Sequence, residues 1–209
     1  MYKIIQKFLR IFICICFFNL IQIYCALAKD LTFQHRISKI HNFYSYFKQD
    51  IIDELGILVQ SSIGEIKIKQ PGWFNWYVFY PNKIKIISNA KTIWIHDFLT
   101  NQVNIFFVKD IIKNTPFVLF TKESNNYFKN YNVFRNKDCF TLFPKDNIDT
   151  IKYCTICINN NKIIEKVIFV EKNGAKNIIR FYNQILKKFD SNQFVFRSFP
   201  GLTVDDERL

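Results

Sequence analysis

The sequence predicts a mainly β domain of the α+β class, built on an antiparallel sheet that is strongly bent or closed into a barrel. Three observations indicate this class. About eleven short apolar runs with a period of two follow one another after Phe43. Turn-forming residues separate the runs, as at Gln70-Pro71-Gly72 and Asn173-Gly174. Several runs are apolar on both alternations, whereas a sheet with one wet face is polar on one of them.

Composition excludes several other classes. The chain has 209 residues, of which 49% are hydrophobic and 18% aromatic, with only 5 Gly and 5 Pro. A chain this apolar can bury enough surface to offset the entropy cost of ordering, which excludes disorder. The low Gly and Pro counts exclude collagen and low-complexity linkers. The net charge of +12 suggests nucleic acid as a partner only if the chain stays inside the cell.

Residues 1–28 have the pattern of a cleaved secretory signal peptide. Three basic residues without an acid precede a short apolar core, and Ala26-Leu27-Ala28 supplies a signal-peptidase site. We therefore expect cleavage after Ala28 and a mature chain, residues 29–209, that forms a single domain. The core is shorter than the roughly 20 apolar residues of a transmembrane helix. An uncleaved anchor is thus the less favoured alternative, and an integral membrane protein is not expected.

Export changes the meaning of the positive charge. An exported protein does not meet chromosomal DNA, so we do not expect nucleic acid as a partner. The excess of Lys, Ile, Asn, Phe and Tyr fits the codon bias of an AT-rich genome, which accounts for much of the charge. Attraction to an anionic membrane surface is a minor alternative.

The mature chain is predicted to begin with one short helix and to continue in strands. Residues 30–40 form the helix, because Phe33, Ile37 and Ile40 share one apolar face. The predicted strands are Phe43–Ile52, Ile57–Lys69, Trp73–Tyr80, Lys83–Ser88, Thr92–Asp97, Gln102–Phe106, Asn132–Asn136, Cys139–Phe143, Ile148–Asn159, Ile163–Glu171 and Ala175–Tyr182.

The strand at Trp73–Tyr80 is apolar on both faces. Phe74, Trp76 and Val78 lie on one alternation, while Trp73 and Tyr77 lie on the other. Either helices cover the second face as ordinary core, or that face lines a cavity for an apolar ligand. The strand pattern by itself favours ordinary core.

Residues 107–122 shift this balance toward a cavity. Phe107 and Ile111 fall at helical spacing, and Thr115 caps a second helical turn that includes Phe117 and Leu119. Two short helices that are apolar nearly all round cannot face water on any side. They are predicted to plug the open side of the curved sheet, from which they can also open.

Three cysteines follow the signal, namely Cys139, Cys154 and Cys157, and an odd number cannot all pair within one chain. Cys154 and Cys157 are three apart in a strand, so their sulfurs point to opposite faces and should not bridge each other. We expect unpaired structural thiols, and a thiol–disulfide catalyst is a much less favoured alternative.

Motifs that would indicate an enzyme are not found. The sequence has no HExxH, no G-x-S-x-G, no G-x-G-x-x-G and no P-loop. His35, His41 and His96 are scattered, and the acidic run Asp205-Asp206-Glu207 is expected to be a solvated tail rather than a metal site. We therefore expect neither enzymatic activity, nor a metal, nor a cofactor.

An ordered set of short motifs resembles the outer-membrane lipoprotein carrier proteins, the LolA family of Gram-negative periplasms. The matching elements are Val59-Gln60-x-x-x-Gly64, Lys69-x-Pro71-x-x-Phe74-x-Trp76, Lys91-Thr92-x-Trp94, Lys109-Asp110, Asn114-Thr115-Pro116-Phe117 and Gly201-x-Thr203-Val204-Asp205-Asp206. The first five keep the family spacing without a gap. The resemblance covers the mature chain and is weakest between Lys122 and Pro200.

The resemblance implies an unclosed antiparallel β-barrel of about eleven strands around a hydrophobic cavity, with short α-helices as a lid. It also implies a periplasmic chaperone that takes triacylated lipoproteins from an inner-membrane ABC exporter to an outer-membrane receptor lipoprotein. On this basis Phe74, Trp76, Val78 and Trp94 are the expected walls of the acyl-chain cavity. The expected lid residues are Phe107, Ile111, Phe117 and Leu119. The receptor of the same pathway is the alternative, although Tyr24 before Cys25 does not fit a lipoprotein signal.

Two departures from the family pattern concern the lid and one turn. Family members place an arginine before the proline that matches Pro71, and that arginine hydrogen-bonds the lid. Gln70 occupies this lid-latch position here, and a neutral hydrogen bond is weaker than a charged one, so we expect a looser lid. Ala90 replaces a turn glycine, which makes a positive φ at this turn less certain.

Overall fold

Twelve strands form one sheet in the computed structural model, which describes residues 33–40, 42–111, 115, 128–146 and 150–208. The strands are β1 (Phe43–Ile52), β2 (Leu58–Lys69), β3 (Trp73–Tyr80), β4 (Ile84–Asn89), β5 (Thr92–Asp97), β6 (Gln102–Phe107), β7 (Tyr131–Asn136), β8 (Cys139–Pro144), β9 (Ile151–Ile158), β10 (Ile164–Glu171), β11 (Lys176–Leu186) and β12 (Thr203–Asp206). Helix α1 spans residues 33–38 and α2 spans Val108–Ile111, with 3₁₀ turns at Phe128–Asn130 and Ser191–Phe194.

The order across the sheet is β12-β6-β5-β4-β3-β2-β1-β11-β10-β9-β8-β7. Two meanders, β1 to β6 and β7 to β11, are joined where β1 pairs antiparallel with β11. Because β12 and β7 are the ends of this order, the barrel is unclosed, as predicted. All eleven predicted strands are present, and the part of Ile148–Asn159 before Thr150 lies outside the described residues.

Strand β12 was not predicted. It pairs in parallel with β6, so that Thr203 lies opposite Gln102 and Asp206 opposite Ile105. All four of its side chains are exposed, and a strand without a buried face shows no alternation of apolar residues. The run predicted to be a solvated tail is therefore partly a strand.

The inner face of the sheet, defined by Phe74, Trp76 and Val78 of β3, carries the core. Helix α1 packs on this core, with Phe33, Ile37 and Ile40 buried as predicted. The predicted beginning of α1 at residues 30–32 lies outside the described residues, as do residues 1–28 and His41. The outer face is the opposite one, which carries Asn75 and Tyr77.

Gly64 lies in a tightly packed part of the inner face. The rings of Phe47 and Trp76 lie with centroids 3.7 Å apart, and the Phe47 ring crosses over Gly64. A Cβ at Gly64 would come within 2.6 Å of Cζ of Phe47 and would also meet the carbonyl oxygen of Tyr77. Only a residue without a side chain leaves room for the Phe47 ring and the Tyr77 carbonyl oxygen.

The cysteine prediction needs a correction. Cys139 and Cys157 lie opposite each other in the β8–β9 register and form a disulfide, so they are not free thiols. Among the described cysteines Cys154 is unpaired and buried, and it does not bridge Cys157, as expected. Cross-strand pairing depends on register, which the spacing of cysteines within one strand does not reveal.

Ala90 adopts a positive φ of 69° in the turn between β4 and β5. Ser88 holds this turn against the preceding one, because its hydroxyl donates to the carbonyl oxygen of Gly72 at 2.8 Å and accepts from the Ala90 amide at 3.2 Å. The turn thus keeps a left-handed residue even where glycine is absent. Within the described residues, no helix has the length and apolarity that a membrane crossing requires.

Candidate functional site

The inner face of β3 is the centre of the candidate site. Phe74, Trp76 and Val78 are 0%, 3% and 8% exposed, and they form part of one continuous apolar cluster with residues of β1, β2 and β8 to β11. Trp76 has aliphatic neighbours on both sides, because it lies between Ile66 of β2 and Ile86 of β4. The arrangement provides a broad surface for apolar groups.

Trp94 is not brought together with these residues. In the sheet register Trp94 lies opposite Ile87, and Ile87 lies opposite Asn75 of the outer face. Ile95, not Trp94, shares the face of Trp76. Trp94 instead stacks on Phe196 with ring centroids 6.4 Å apart. Trp94 alternates with Thr92 and His96, whereas Ile93 and Ile95 lie on the other face of β5. Large apolar residues thus lie on both faces, and the register decides which face turns inward.

The predicted lid is described only where it begins. Phe107, expected in a helix, is the last residue of β6 and is 37% exposed. Helix α2 starts at Val108, whose amide donates to the Lys91 carbonyl oxygen at 2.9 Å, and Ile111 packs against the core. Phe117 and Leu119 lie outside the described residues. The first turn of the predicted lid is therefore tied to the β4–β5 turn.

Gln70, the predicted latch, lies in the turn between β2 and β3, before a cis bond to Pro71. The backbone N–H of Gln70 donates to Oδ1 of Asn42 at 3.0 Å. The neighbouring Lys69 points to the outer face, as expected, where its ammonium donates to Oγ of Ser191. Residues 112–114 and 116–127, where the predicted lid continues, lie outside the described residues.

Sequence reasoning missed a cleft on the outer face of the sheet. Residues 187–202, called here the C-terminal strap, pass over β1 to β5 and leave a cleft of about 840 Å³ beneath them, called here the outer cleft. Phe194 fixes the strap by packing on Trp73, and the Gln193 carbonyl oxygen accepts from Nδ2 of Asn75 at 3.0 Å. Four phenylalanines follow the last predicted strand, at positions 189, 194, 196 and 199. Their number in so short a segment was the available sign that the strap packs on the sheet.

The outer cleft holds several ionisable groups. The Tyr44 hydroxyl donates to Oε2 of Glu65 at 2.8 Å, and Nζ of Lys67 lies 4.0 Å from Oε1 of Glu65. Burial, followed by hydrogen bonding with Tyr46 and Glu65, raises the pKa of the Tyr44 hydroxyl. Burial, followed by the nearby ammonium of Lys67, lowers the pKa of Lys85.

The geometry of the cysteines does not fit a thiol–disulfide catalyst. Burial raises the pKa of the Cys154 thiol, which favours the protonated form over the nucleophilic thiolate. Cys157 is bound to Cys139 rather than to Cys154. Among the described residues, no group of three His, Cys, Asp or Glu side chains could hold a metal ion.

An open barrel with an apolar inner face and a helix packed on it defines a class of carrier folds that shelter apolar groups. The family model described as "Outer membrane lipoprotein carrier protein LolA" matches residues 38–197. The chain belongs to this family, in agreement with the resemblance seen in the sequence.

Individual proteins support the same assignment. The chain is 33% identical over 186 residues to an outer-membrane lipoprotein carrier protein of Pectobacterium carotovorum, covering 89% of this chain and 91% of that one. It is 30% identical over 200 residues to the Yersinia pestis protein of the same description, covering 95% and 99%. An uncharacterized conserved protein from Thermus thermophilus shares the fold alone, with a TM-score of 0.53 at 10% identity over 83% of this chain and 96% of that one.

Proposed function

We propose that this protein is a periplasmic chaperone that carries acylated lipoproteins from an inner-membrane ABC exporter to an outer-membrane receptor. Membership of the lipoprotein carrier family supports this function. The single structural observation that carries it is the continuous inner face around Phe74, Trp76 and Val78. No catalytic role is proposed for any residue.

The cargo chemistry explains why an apolar face is needed. Each buried methylene contributes about 0.8 kcal/mol, so a lipoprotein with several acyl chains leaves a membrane only if another apolar surface receives the chains. The inner face offers aromatic and aliphatic side chains for this purpose. We propose Phe74, Trp76 and Val78 as cavity walls. Trp94 is left out of this proposal, since the register puts it on the face opposite to Trp76.

Loading requires that the lid uncover the inner face and later cover it again. We propose that the segment from α2 onward, with Ile111, Phe117 and Leu119, covers the face when no cargo is bound. The Gln70 side chain would latch it more weakly than an arginine, because neutral hydrogen bonds are weaker than charged ones. Secretion with cleavage after Ala28 would deliver residues 29–209 to the periplasm.

The test combines cargo binding with the position of two tryptophans. The mature chain should keep a triacylated lipopeptide in solution as a stable complex. With brominated acyl chains, a variant that retains only Trp76 (Trp73→Phe with Trp94→Phe) should lose most of its fluorescence. The matched variant that retains only Trp94 (Trp73→Phe with Trp76→Phe) should be quenched little, since contact quenching is short-ranged and Trp94 lies on the other face.

The outcomes separate function from site. Failure to keep the lipopeptide in solution would contradict the carrier function itself. Solubilisation accompanied by stronger quenching of Trp94 than of Trp76 would retain the carrier function and contradict the inner face as the acyl-chain site.

A further inference from the structure

The outer cleft contains a buried histidine nitrogen without a partner. His96 is 4% exposed, and its Nε2 has no hydrogen-bond partner among the residues that the structure describes. Its ring lies among three phenylalanines, with centroid distances of 4.1 Å to Phe98, 5.9 Å to Phe196 and 5.8 Å to Phe199. A buried polar atom without a partner costs free energy, which a ligand that completes the hydrogen bond would recover.

The cleft also carries positive charge without enough acid to balance it. Lys67, Lys85, Lys187 and Arg197 line it together with one carboxylate, that of Glu65. Glu65 already accepts from Tyr44 and lies near Lys67. Among the described residues, no carboxylate lies within ion-pair distance of Lys85, whose ammonium instead lies 5.8 Å from the centroid of the Tyr77 ring.

Register places the charge and the unpartnered nitrogen side by side. Lys85 of β4 and His96 of β5 are directly opposite each other on the outer face. Side chains at such paired positions lie close enough to share one ligand group. The phenylalanines at 98, 196 and 199 then form an apolar wall next to this polar pair.

We propose that the outer cleft binds a small amphiphilic anion, with its acidic group at Lys85 and His96 and its apolar body against the three phenylalanines. A volume of about 840 Å³ lies within the usual range of small-molecule sites, roughly 300–1,000 Å³. The ligand class is therefore a phosphate monoester, a sulfonate or a carboxylate with an aromatic or short aliphatic part. The site is on the opposite face from the proposed acyl-chain site and does not depend on that function.

A ligand in the outer cleft would contact both the C-terminal strap and the sheet. Phe196, Arg197 and Phe199 belong to the strap, whereas Lys85 and His96 belong to the sheet. A ligand between them would connect the two walls of the cleft. Binding should therefore slow amide exchange in residues 195–199 as well as in β4 and β5.

The experiment is a nuclear magnetic resonance titration of the mature chain with 2-naphthyl phosphate. The matched neutral probe is 2-naphthol, and inorganic phosphate separates recognition of the acidic group alone from recognition of the whole amphiphile. We expect saturable shifts at Lys85, His96 and Phe196 with 2-naphthyl phosphate, at least tenfold weaker binding of 2-naphthol, and weaker binding of inorganic phosphate.

Variants at Lys85 test the position of the acidic group, and a variant at Lys83 is the control. Lys85→Met should weaken binding of 2-naphthyl phosphate at least tenfold, and Lys85→Arg should restore most of it. Lys83→Met removes an exposed lysine outside the cleft and should leave the affinity unchanged. Equal affinity for both naphthyl probes, no effect of Lys85→Met, no saturable binding, or shifts centred on Trp76 would each overturn the proposal.

Discussion

The guanidinium of Arg36 donates from Nη1 to Oδ1 of Asp138 at a distance of 2.6 Å. The same nitrogen lies 2.6 Å from the carbonyl oxygen of Ile158, and Nη2 donates to Oδ1 of Asn160 at 2.8 Å. One side chain of α1 thereby holds the β8 and β9 ends, next to the Cys139–Cys157 disulfide. Helix α1 is thus fixed over the far half of the sheet by a fork of charged hydrogen bonds.

Arg36→Met should lower the free energy of unfolding by about 1–3 kcal/mol, because charged hydrogen bonds to a half-exposed carboxylate and to a carbonyl are lost. Urea unfolding followed by circular dichroism measures the change. Lys39→Met, at an exposed position just after α1, is the control and should have little effect. An unchanged midpoint for Arg36→Met would show that α1 is held by Phe33 and Ile37 alone.

Gly64→Ala should destabilise the sheet by about 1–3 kcal/mol, since overpacking forces backbone and rings to shift. The added Cβ would meet Cζ of Phe47 and the backbone of Tyr77, neither of which can move freely. Gly56→Ala is the comparison, because Gly56 has a φ of +84° but open space around it, so only backbone strain is added. Thermal unfolding should rank Gly64→Ala below Gly56→Ala, and the reverse order would contradict the packing at Phe47.

Ala90→Gly should raise the stability by up to about 1 kcal/mol, because glycine accepts a φ of 69° without the left-handed penalty of alanine. Part of the gain is offset by the greater entropy of glycine in the unfolded chain. Ala175→Gly, at a position without a positive φ, should instead lower stability by about 0.5–1 kcal/mol. Parallel chemical denaturation of both variants decides, and a loss at both positions would refute strain at Ala90.

Replacing both disulfide cysteines, Cys139→Ser with Cys157→Ser, should cost about 2–4 kcal/mol, because the crosslink closes a loop of 18 residues. Reducing agent should lower the stability of the natural chain and leave the double variant unaffected.

The Cys154 thiol should react with an alkylating reagent only on unfolding, since it is buried and its pKa is raised by burial. Rapid alkylation of Cys154 in the folded protein would contradict its buried position.

Asp50 should contribute stability that is lost in acid. Burial alone raises its pKa, but the Ser61 hydroxyl at 2.8 Å and Nη1 of Arg180 at 2.7 Å outweigh burial, so the pKa of Asp50 is lowered from its ordinary value of 3.8. The contribution is therefore fully present above about pH 4 and falls as pH drops through the folded-state pKa. The stability difference between the natural chain and Asp50→Asn, measured by urea unfolding at several pH values, should shrink below pH 4. A constant difference would exclude this ion pair as its source.

Regular period-two patterns allowed the eleven main strands to be predicted, and the spacing of Phe33, Ile37 and Ile40 correctly predicted the buried face of α1. These features depend on local periodicity, which the sequence displays directly. The same period correctly placed Phe74, Trp76 and Val78 on one buried face of β3, and their role as cavity walls stays a prediction.

The features that were missed depend on register or on distant parts of the chain. The Cys139–Cys157 disulfide requires the pairing of β8 with β9, and the face of Trp94 requires the pairing of β5 with β4. The outer cleft joins residues from Tyr44 to Phe199, which no local window contains. Strand β12 has no buried side chain from which to be recognised.

The parallel strand β12 affects how one open edge of the sheet meets another protein chain. An unclosed barrel leaves a row of unpaired backbone groups at each end of its sheet, and such rows invite pairing with another chain. Strand β12 occupies one of these ends and presents Asp205 and Asp206 there. Within one copy Arg208 pairs with Asp206. We infer that two copies approaching with the same edge would bring their Asp205 carboxylates together, which disfavours edge-to-edge pairing.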